Sequence, residues 1–230
     1  MRSRKSSNAK ATKHASRKPS LGASDVQSDG KRNRSATALQ WRLRTHSASD
    51  TERLGVLTGR AALGGEVLAL SGELGSGKTC FVRGLAAGLG AARLAVTSPT
   101  FVFIHEYVGR LRLAHADLFR LEGVPAYYEL GLTDYLNERT IVAIEWPEKA
   151  ECELPMDRLV IKLSHKGKNV RELRFQPYGA VSLAFLARLR KLRNSPVVAA
   201  SRNARSEVRL KRSQKESAHT PASIRRSAHK

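Results

Sequence analysis

Apolar and polar positions change period several times along the chain, and each change marks a candidate element. Residues 41–44 (Trp-Arg-Leu-Arg) alternate apolar with basic, which predicts a first edge strand. Ser49 or Asp50 is then expected to cap a helix running to Ala62, because Leu54, Leu57, Ala61 and Ala62 fall near one face. Gly64-Gly65 ends that helix. Residues 66–71 (EVLALS) read as a buried strand, followed directly by a glycine-rich turn at 72–77 and a helix over 78–89. Further on, 101–108 and 111–116 read as strands joined through Gly109-Arg110, with short helices at 126–130 and 133–137. Thr140–Glu145 (TIVAIE) is a continuous apolar run of the kind found inside parallel sheets. Residues 158–164 and 171–176 read as a hairpin, and 180–192 as a helix that is apolar first and basic later. No internal repeat is visible. The pattern predicts one α/β domain over 39–193, with a mixed, partly parallel sheet flanked by helices.

Residues 1–38 and 194–230 carry few large apolar side chains and are expected to be disordered, since burial cannot offset their ordering entropy. Charge sharpens this division. The chain holds 41 Lys+Arg against 20 Asp+Glu, a formal net charge of +21. Residues 1–38 contribute ten basic and two acidic residues, and 188–230 contribute thirteen and two. Between them lie 18 basic and 16 acidic residues, so the high charge belongs to the tails and not to the fold. Such tails suit salt-sensitive contact with a nucleic-acid backbone or simple solvation. They lack interleaved aromatics, so base stacking is not indicated. The Arg/Ser/Lys-rich N-terminus reads as a disordered cytosolic extension, its resemblance to an organellar transit peptide being the alternative.

Other classes are excluded more simply. Two cysteines, Cys80 and Cys152, provide neither a disulfide framework nor a cysteine-based zinc site. No run approaches the roughly 18 apolar residues of a membrane span, and no apolar core of a secretory signal is present. A cytoplasmic location with no membrane partner is expected, or an organellar one if the N-terminal extension is a transit peptide.

The strongest chemical signal is Gly72-Glu73-Leu74-Gly75-Ser76-Gly77-Lys78-Thr79, a full match to the pattern G-x-x-x-x-G-K-[ST] placed between a buried strand and a helix. Glycines let backbone amides wrap phosphates, and the helix start adds its positive dipole end. Lys78 should reach the outer phosphates and the Thr79 hydroxyl should bind magnesium. A phosphate site of this type needs a carboxylate at the end of a neighbouring strand. Glu145, ending the TIVAIE run, and Asp117, ending 111–116, are the candidates. His115 lies two residues before Asp117 and is expected to hydrogen-bond near the site, not to ligate a metal. His105 reads as a structural histidine. Cys80, early in the helix, is either a reactive thiol or a small packed side chain.

Taken together these residues resemble the TsaE family, small P-loop ATPases of bacterial threonylcarbamoyladenosine tRNA modification. The resemblance covers about residues 40–178. It rests on Gly72 to Thr79, on Thr97-Ser-Pro-Thr-Phe101, on His115-Ala-Asp-Leu-Phe-Arg120 and on Ile144-Glu-Trp-Pro-Glu148, in that order. Glu129-Leu-Gly-Leu132 and Leu154-Pro-Met-Asp-Arg158 fall at the family's spacing as well. The resemblance implies ATP bound by the loop 73–80 with Lys78, and magnesium held by Thr79 and Glu145. It further implies Asp117 positioning the metal or the attacking water, and Ser98 to Phe101 acting as a switch near the γ-phosphate. Trp146 would pack beside the nucleotide, and Arg171 looks similar to a basic residue that contacts it. Cys80 stands where many members carry a second threonine, and Phe119 replaces a tyrosine. The implied activity is magnesium-dependent ATP hydrolysis supporting a TsaB–TsaD-like transferase that modifies tRNA. A small-molecule or nucleoside kinase, and a nucleic-acid-binding protein acting through its basic tails, are the competing readings.

Overall fold

Strand Thr140–Glu145 is buried at all six positions, as an unbroken apolar run must be when both faces of a sheet are covered. In the computed structural model, which describes residues 40–91, 103–121, 128–196 and 198, it is the fifth of seven strands among those residues. In chain order the elements are β1 (Trp41–Thr45), α1 (Ala48–Ala61), β2 (Val67–Ser71) and α2 (Lys78–Gly88). They continue with β3 (Ile104–Val108), β4 (Arg112–Asp117), β5 (Thr140–Glu145), β6 (Leu159–His165), β7 (Arg171–Pro177) and α3 (Ala180–Arg193). The sheet order is β1-β7-β6-β2-β5-β4-β3. Strands β6, β2, β5 and β4 run parallel at its centre, and antiparallel partners close both flanks. The α/β class and the partly parallel sheet are therefore as the sequence pattern predicts.

Each face of the sheet has its own core. Leu68, Leu70, Leu113, Ile141, Ala143 and Ile161 pack beneath the helices, against Leu54 of α1, Phe81 and Leu85 of α2, and Phe185 and Leu189 of α3. On the other face Ala69, Ala114, Ala116, Val142 and Ile144 meet the 3-10 segments Leu132–Tyr135 and Pro147–Glu153 through Leu132, Ala150 and Leu154. The second of these segments is not visible in the sequence pattern.

Helices α1 and α2 approach unusually closely, and glycines set the distance. A Cβ on Gly55 would stand 2.1 Å from the carbonyl oxygen of Phe81, and one on Gly84 would stand 1.9 Å from that of Glu52. Gly59 and Gly88 repeat the contact one turn later, at 2.3 Å from Leu85 O and 2.2 Å from Val56 O. Two Gly-x-x-x-Gly stripes thus face one another and seat α2, which carries the glycine-rich loop, directly on α1.

Some boundaries differ from expectation. Helix α1 starts at Ala48 with Ser47 as its cap, because Ser47 Oγ accepts from Asp50 N at 3.1 Å while Asp50 Oδ2 accepts from His46 N at 3.2 Å. Three good capping residues stand close together here, and only this reciprocal pairing selects among them. Strand β3 starts at Ile104: of its expected first residues, Phe103 is a bend and 101–102 lie outside the described set. Of the expected helix 126–130, Tyr128 and Glu129 are helical and 126–127 are not described; the expected helix 133–137 is the 3-10 turn Leu132–Tyr135. The tails 1–38 and 194–230 lie outside the described residues except for 194–196 and 198. Helix α3 takes its N-terminal cap from a distant residue: Asp157 accepts from Val181 N and Ser182 N, each at 2.8 Å. No described helix is long and apolar enough to cross a membrane.

Because the added methyl of Gly84→Ala meets backbone rather than a flexible side chain, the variant is expected to lose about 3 kcal/mol of stability, near the upper end for overpacking. Urea unfolding of Gly84→Ala, Gly55→Ala and the double variant checks this. The double variant should lose less than the sum, since either methyl alone already parts the helices.

Candidate nucleotide and metal site

Strand β2 ends at Ser71 and the chain turns at once through Gly72, where a Cβ would lie 2.3 Å from Leu163 O. Gly75 and Gly77 hold positive φ of 75° and 105°, which side-chain-bearing residues rarely adopt. The space around Gly75 is open, with nothing within 4 Å of an added Cβ. Glu73, Leu74 and Gly75 form an exposed tip, whereas Ser76 is fully buried. Its Oγ finds no hydrogen-bond partner among the described residues. A buried hydroxyl without a partner, at 3.0 Å from where a Cβ on Gly72 would stand, lies in a loop whose open space is at Gly75, an arrangement that suits an oxygen-rich ligand. Gly77 is the N-cap of α2 and supplies no side-chain cap, so the amides of the first turn remain open to such a ligand.

Lys78 is 4% exposed. Its Nζ donates to Gly72 O at 2.7 Å and to Glu73 O at 3.1 Å, and lies 3.8 Å from the centroid of the Trp146 ring. Burial pulls its pKa below the ordinary lysine value, and the charges of Glu145, Glu148 and Asp117 act in the opposite direction. Glu148 has no role in the sequence reading. Only the fold shows that its charge reaches this lysine, although it stands in the same Ile144-Glu-Trp-Pro-Glu148 stretch.

The carboxylates arrive by register. Parallel pairing sets Glu145 beside Leu70 on one side and beside Asp117 on the other. Alternation along β4 and β5 puts His115, Asp117 and Glu145 on the face that carries α2, the same face as Leu113, Ile141 and Ala143. Thr79 Oγ1 therefore donates to Glu145 Oε2 at 3.1 Å. The other oxygen, Oε1, lies 3.0 Å from His115 Nε2, and both of these side chains are buried. His115 thus holds Glu145 from behind, as the histidine's expected hydrogen-bonding role requires. His115 Nδ1 has no partner among the described residues. Asp117 Oδ1 accepts from Phe119 N at 3.0 Å.

Trp146 follows Glu145 in left-handed backbone, φ 57° and ψ 48°, the one non-glycine residue with positive φ among those described. Its ring covers Lys78 on one side and meets Phe119, centroids 4.9 Å apart, on another. Strain of this kind gathers at functional sites.

Two residues sit at the margin. Cys80 Sγ donates to Ala48 O at 3.2 Å, and burial pushes its thiol up, with Glu52 adding to the effect. That favours the packed side chain over the reactive thiol. Arg171 donates to Lys168 O at 3.2 Å, and its positive charge acts on Cys80, which puts it on the side of the sheet where α2 begins. His105 Nδ1 lies 3.3 Å from the Tyr107 hydroxyl, a structural contact. Residues 98–101, expected to act as a switch, lie outside the described residues. Among the described residues no three His, Cys, Asp or Glu side chains gather into a metal cage. One hydroxyl with one or two carboxylates fits magnesium better, because that ion keeps several waters.

The left-handed backbone at Trp146 has a measurable signature. Trp146→Gly and Trp146→Ala both lose the ring stack, but glycine escapes the Cβ penalty of about 1 kcal/mol. Trp146→Gly is expected to unfold at higher urea than Trp146→Ala, the reverse of the usual order.

Comparison with known proteins agrees with this geometry. Residues 45–173, more than half of the chain, match the family model described as threonylcarbamoyl adenosine biosynthesis protein TsaE. A protein of Bacillus subtilis named tRNA threonylcarbamoyladenosine biosynthesis protein TsaE is 40% identical over 142 residues, covering 61% of this chain and 87% of that protein. The like-named protein of Treponema pallidum is 40% identical over 129 residues, 56% of this chain and 95% of its own. A crystal structure titled as Bacillus subtilis YdiB superposes with a TM-score of 0.56 at 33% identity, covering 67% of this chain and 97% of that one. With the loop, the paired strands and the family match in agreement, the chain belongs to the TsaE family of threonylcarbamoyl adenosine biosynthesis proteins.

Proposed function

We propose that this protein is a magnesium-dependent ATPase that supports threonylcarbamoyl transfer to adenosine in tRNA, acting with a TsaB–TsaD-like transferase complex. The observation that carries the reading is the hydrogen bond from Thr79 Oγ1 to Glu145 Oε2 at the mouth of the glycine loop. It joins the two groups that such a site uses to hold magnesium. Thr79 and Glu145 would hold magnesium, which would supply positive charge against the phosphates.

The chain's own residues divide the remaining work. The loop 73–79 and the open amides of α2 cradle the phosphates, with Ser76 Oγ an added donor. Lys78 exchanges its two carbonyl contacts for phosphate oxygens, staying beneath the Trp146 ring that limits its access to water. Thr79 and Glu145 offer oxygens to the metal, and His115 fixes the orientation of Glu145. Asp117, one strand over, orients the attacking water or a water on the metal. Cys80 and Arg171, whose charge acts on Cys80, are assigned to the nucleotide's α-phosphate side. The family's role in tRNA modification comes from the names of its relatives, and the coupling to a transferase rests on that membership.

ATP hydrolysis by the full chain, alone and with a TsaB–TsaD pair and tRNA, tests the proposal. Turnover should be slow alone, rise with the partners, and drop by at least about a hundredfold in Lys78→Ala and Glu145→Ala, an amount typical of losing one phosphate-stabilising group. Hydrolysis indifferent to the transferase, with phosphate passed to a small molecule, would place the protein among kinases instead.

A further inference from the structure

The two strongly basic ends of the chain leave the domain at one corner. The guanidinium carbons of Arg190 and Arg193, in the last turn of α3, lie 5.9 and 5.4 Å from the centroid of the Trp41 ring on β1. The last turn of α3 and the start of β1 therefore meet. In sequence, 1–38 carries a net charge of +8 and 188–230 a net of +11, from ten basic and two acidic residues in one and thirteen and two in the other.

The opposite face of the same sheet edge carries the same sign. Strand β1 is a sheet edge. Trp41 and Leu43 turn toward the helix-side core, so Arg42 and Arg44 face the opposite side, where both are exposed. Register places Arg42 beside Arg174, and Arg174 beside Lys162, so a row of three cations crosses three strands. The acid on this part of the face is Glu172, already paired with Arg174 at 2.8 Å and Arg44 at 3.8 Å. Arg174 beside it, helped by Lys166 and Arg44, holds its carboxyl below the usual range, so it stays ionised and bound to these arginines. The second core cluster draws on β2, β4 and β5, with Ile104 of β3 and Val160 of β6 packed against it, so among the described residues its packing does not extend over this row.

We propose that this corner, formed by Arg42, Arg44, Arg174, Lys162 and the basic end of α3, is an RNA-binding surface. Planar guanidinium groups match phosphate oxygens in pairs. The lack of aromatics among the tail cations points to backbone contact without base selection. The choice of RNA over another polyanion rests on the tRNA-modification reading above, whereas the cationic corner itself does not.

The test uses the full chain, without nucleotide, and fluorescence anisotropy of a labelled tRNA transcript across a KCl series. The variant Arg42→Gln/Arg44→Gln/Arg190→Gln is compared with Arg60→Gln/Arg139→Gln/Lys149→Gln, which removes equal charge from exposed positions elsewhere. The corner variant should bind about tenfold more weakly, with its log–log salt slope shallower by about two, as expected when roughly three phosphate contacts are lost. The control variant should stay within about twofold of the wild type. Equal losses in both variants, or none in either, overturn the proposal. Binding to poly-L-glutamate in place of tRNA also overturns it, in favour of an acidic protein partner. Because ATP is absent, these outcomes stand apart from the fate of the hydrolysis reading.

Discussion

The site depends on the parallel pairing of β2 with β5. That pairing brings the end of one buried strand level with the loop that follows another, with Glu145 beside Leu70. From there the Glu145 carboxylate reaches Thr79 on α2 and His115 on β4, joining three elements through two oxygens. A one-residue slip would turn Glu145 to the opposite face and leave Thr79 and His115 without it. The glycine contacts between α1 and α2 serve the same end, since they fix the helix on which Lys78 and Thr79 stand.

Such an arrangement is costly on its own. Glu145 is 2% exposed and Lys78 is 4% exposed, and burying charge is unfavourable unless each group is well partnered. Lys78 has two carbonyls and an aromatic face, and Glu145 has a hydroxyl and an imidazole; no direct ion pair between the two occurs among the described contacts. Opposite charges held near one another but apart leave each free to meet a ligand that carries both signs. A magnesium–nucleotide complex has that character, with phosphate oxygens for the lysine and a cation for the carboxylate. Left-handed backbone at Trp146 belongs to the same account, since it brings the ring over Lys78 immediately after the strand ends.

Much of this was legible in the sequence. The glycine loop, Lys78, Thr79 and the apolar run ending at Glu145 declare themselves because local pattern and chemistry coincide there. The parallel centre of the sheet follows from the same run. The contacts that depend on register were less legible. That Asp117 and Glu145 stand side by side requires knowing that β4 neighbours β5. Glu148 has no role in the sequence beyond closing a motif, and its charge toward Lys78 shows only in the fold, on the Pro147–Glu153 turn. The 55/59 and 84/88 glycine pairs were present as spacing, but within soluble helices glycine more often signals weakness than contact. Asp157 gives no local sign of capping α3, because its partners lie more than twenty residues later.

The central claim is that Thr79 and Glu145 form the metal side of a phosphate site. Calorimetric titration of ADP into the full chain and into Glu145→Gln, each with and without magnesium, tests it most directly. The account predicts that magnesium tightens ADP binding at least about tenfold in the wild type, a coupling of roughly 1.4 kcal/mol, and has almost no effect in Glu145→Gln, whose magnesium-free affinity is unchanged. Equal magnesium enhancement in both proteins would contradict it and place the metal elsewhere.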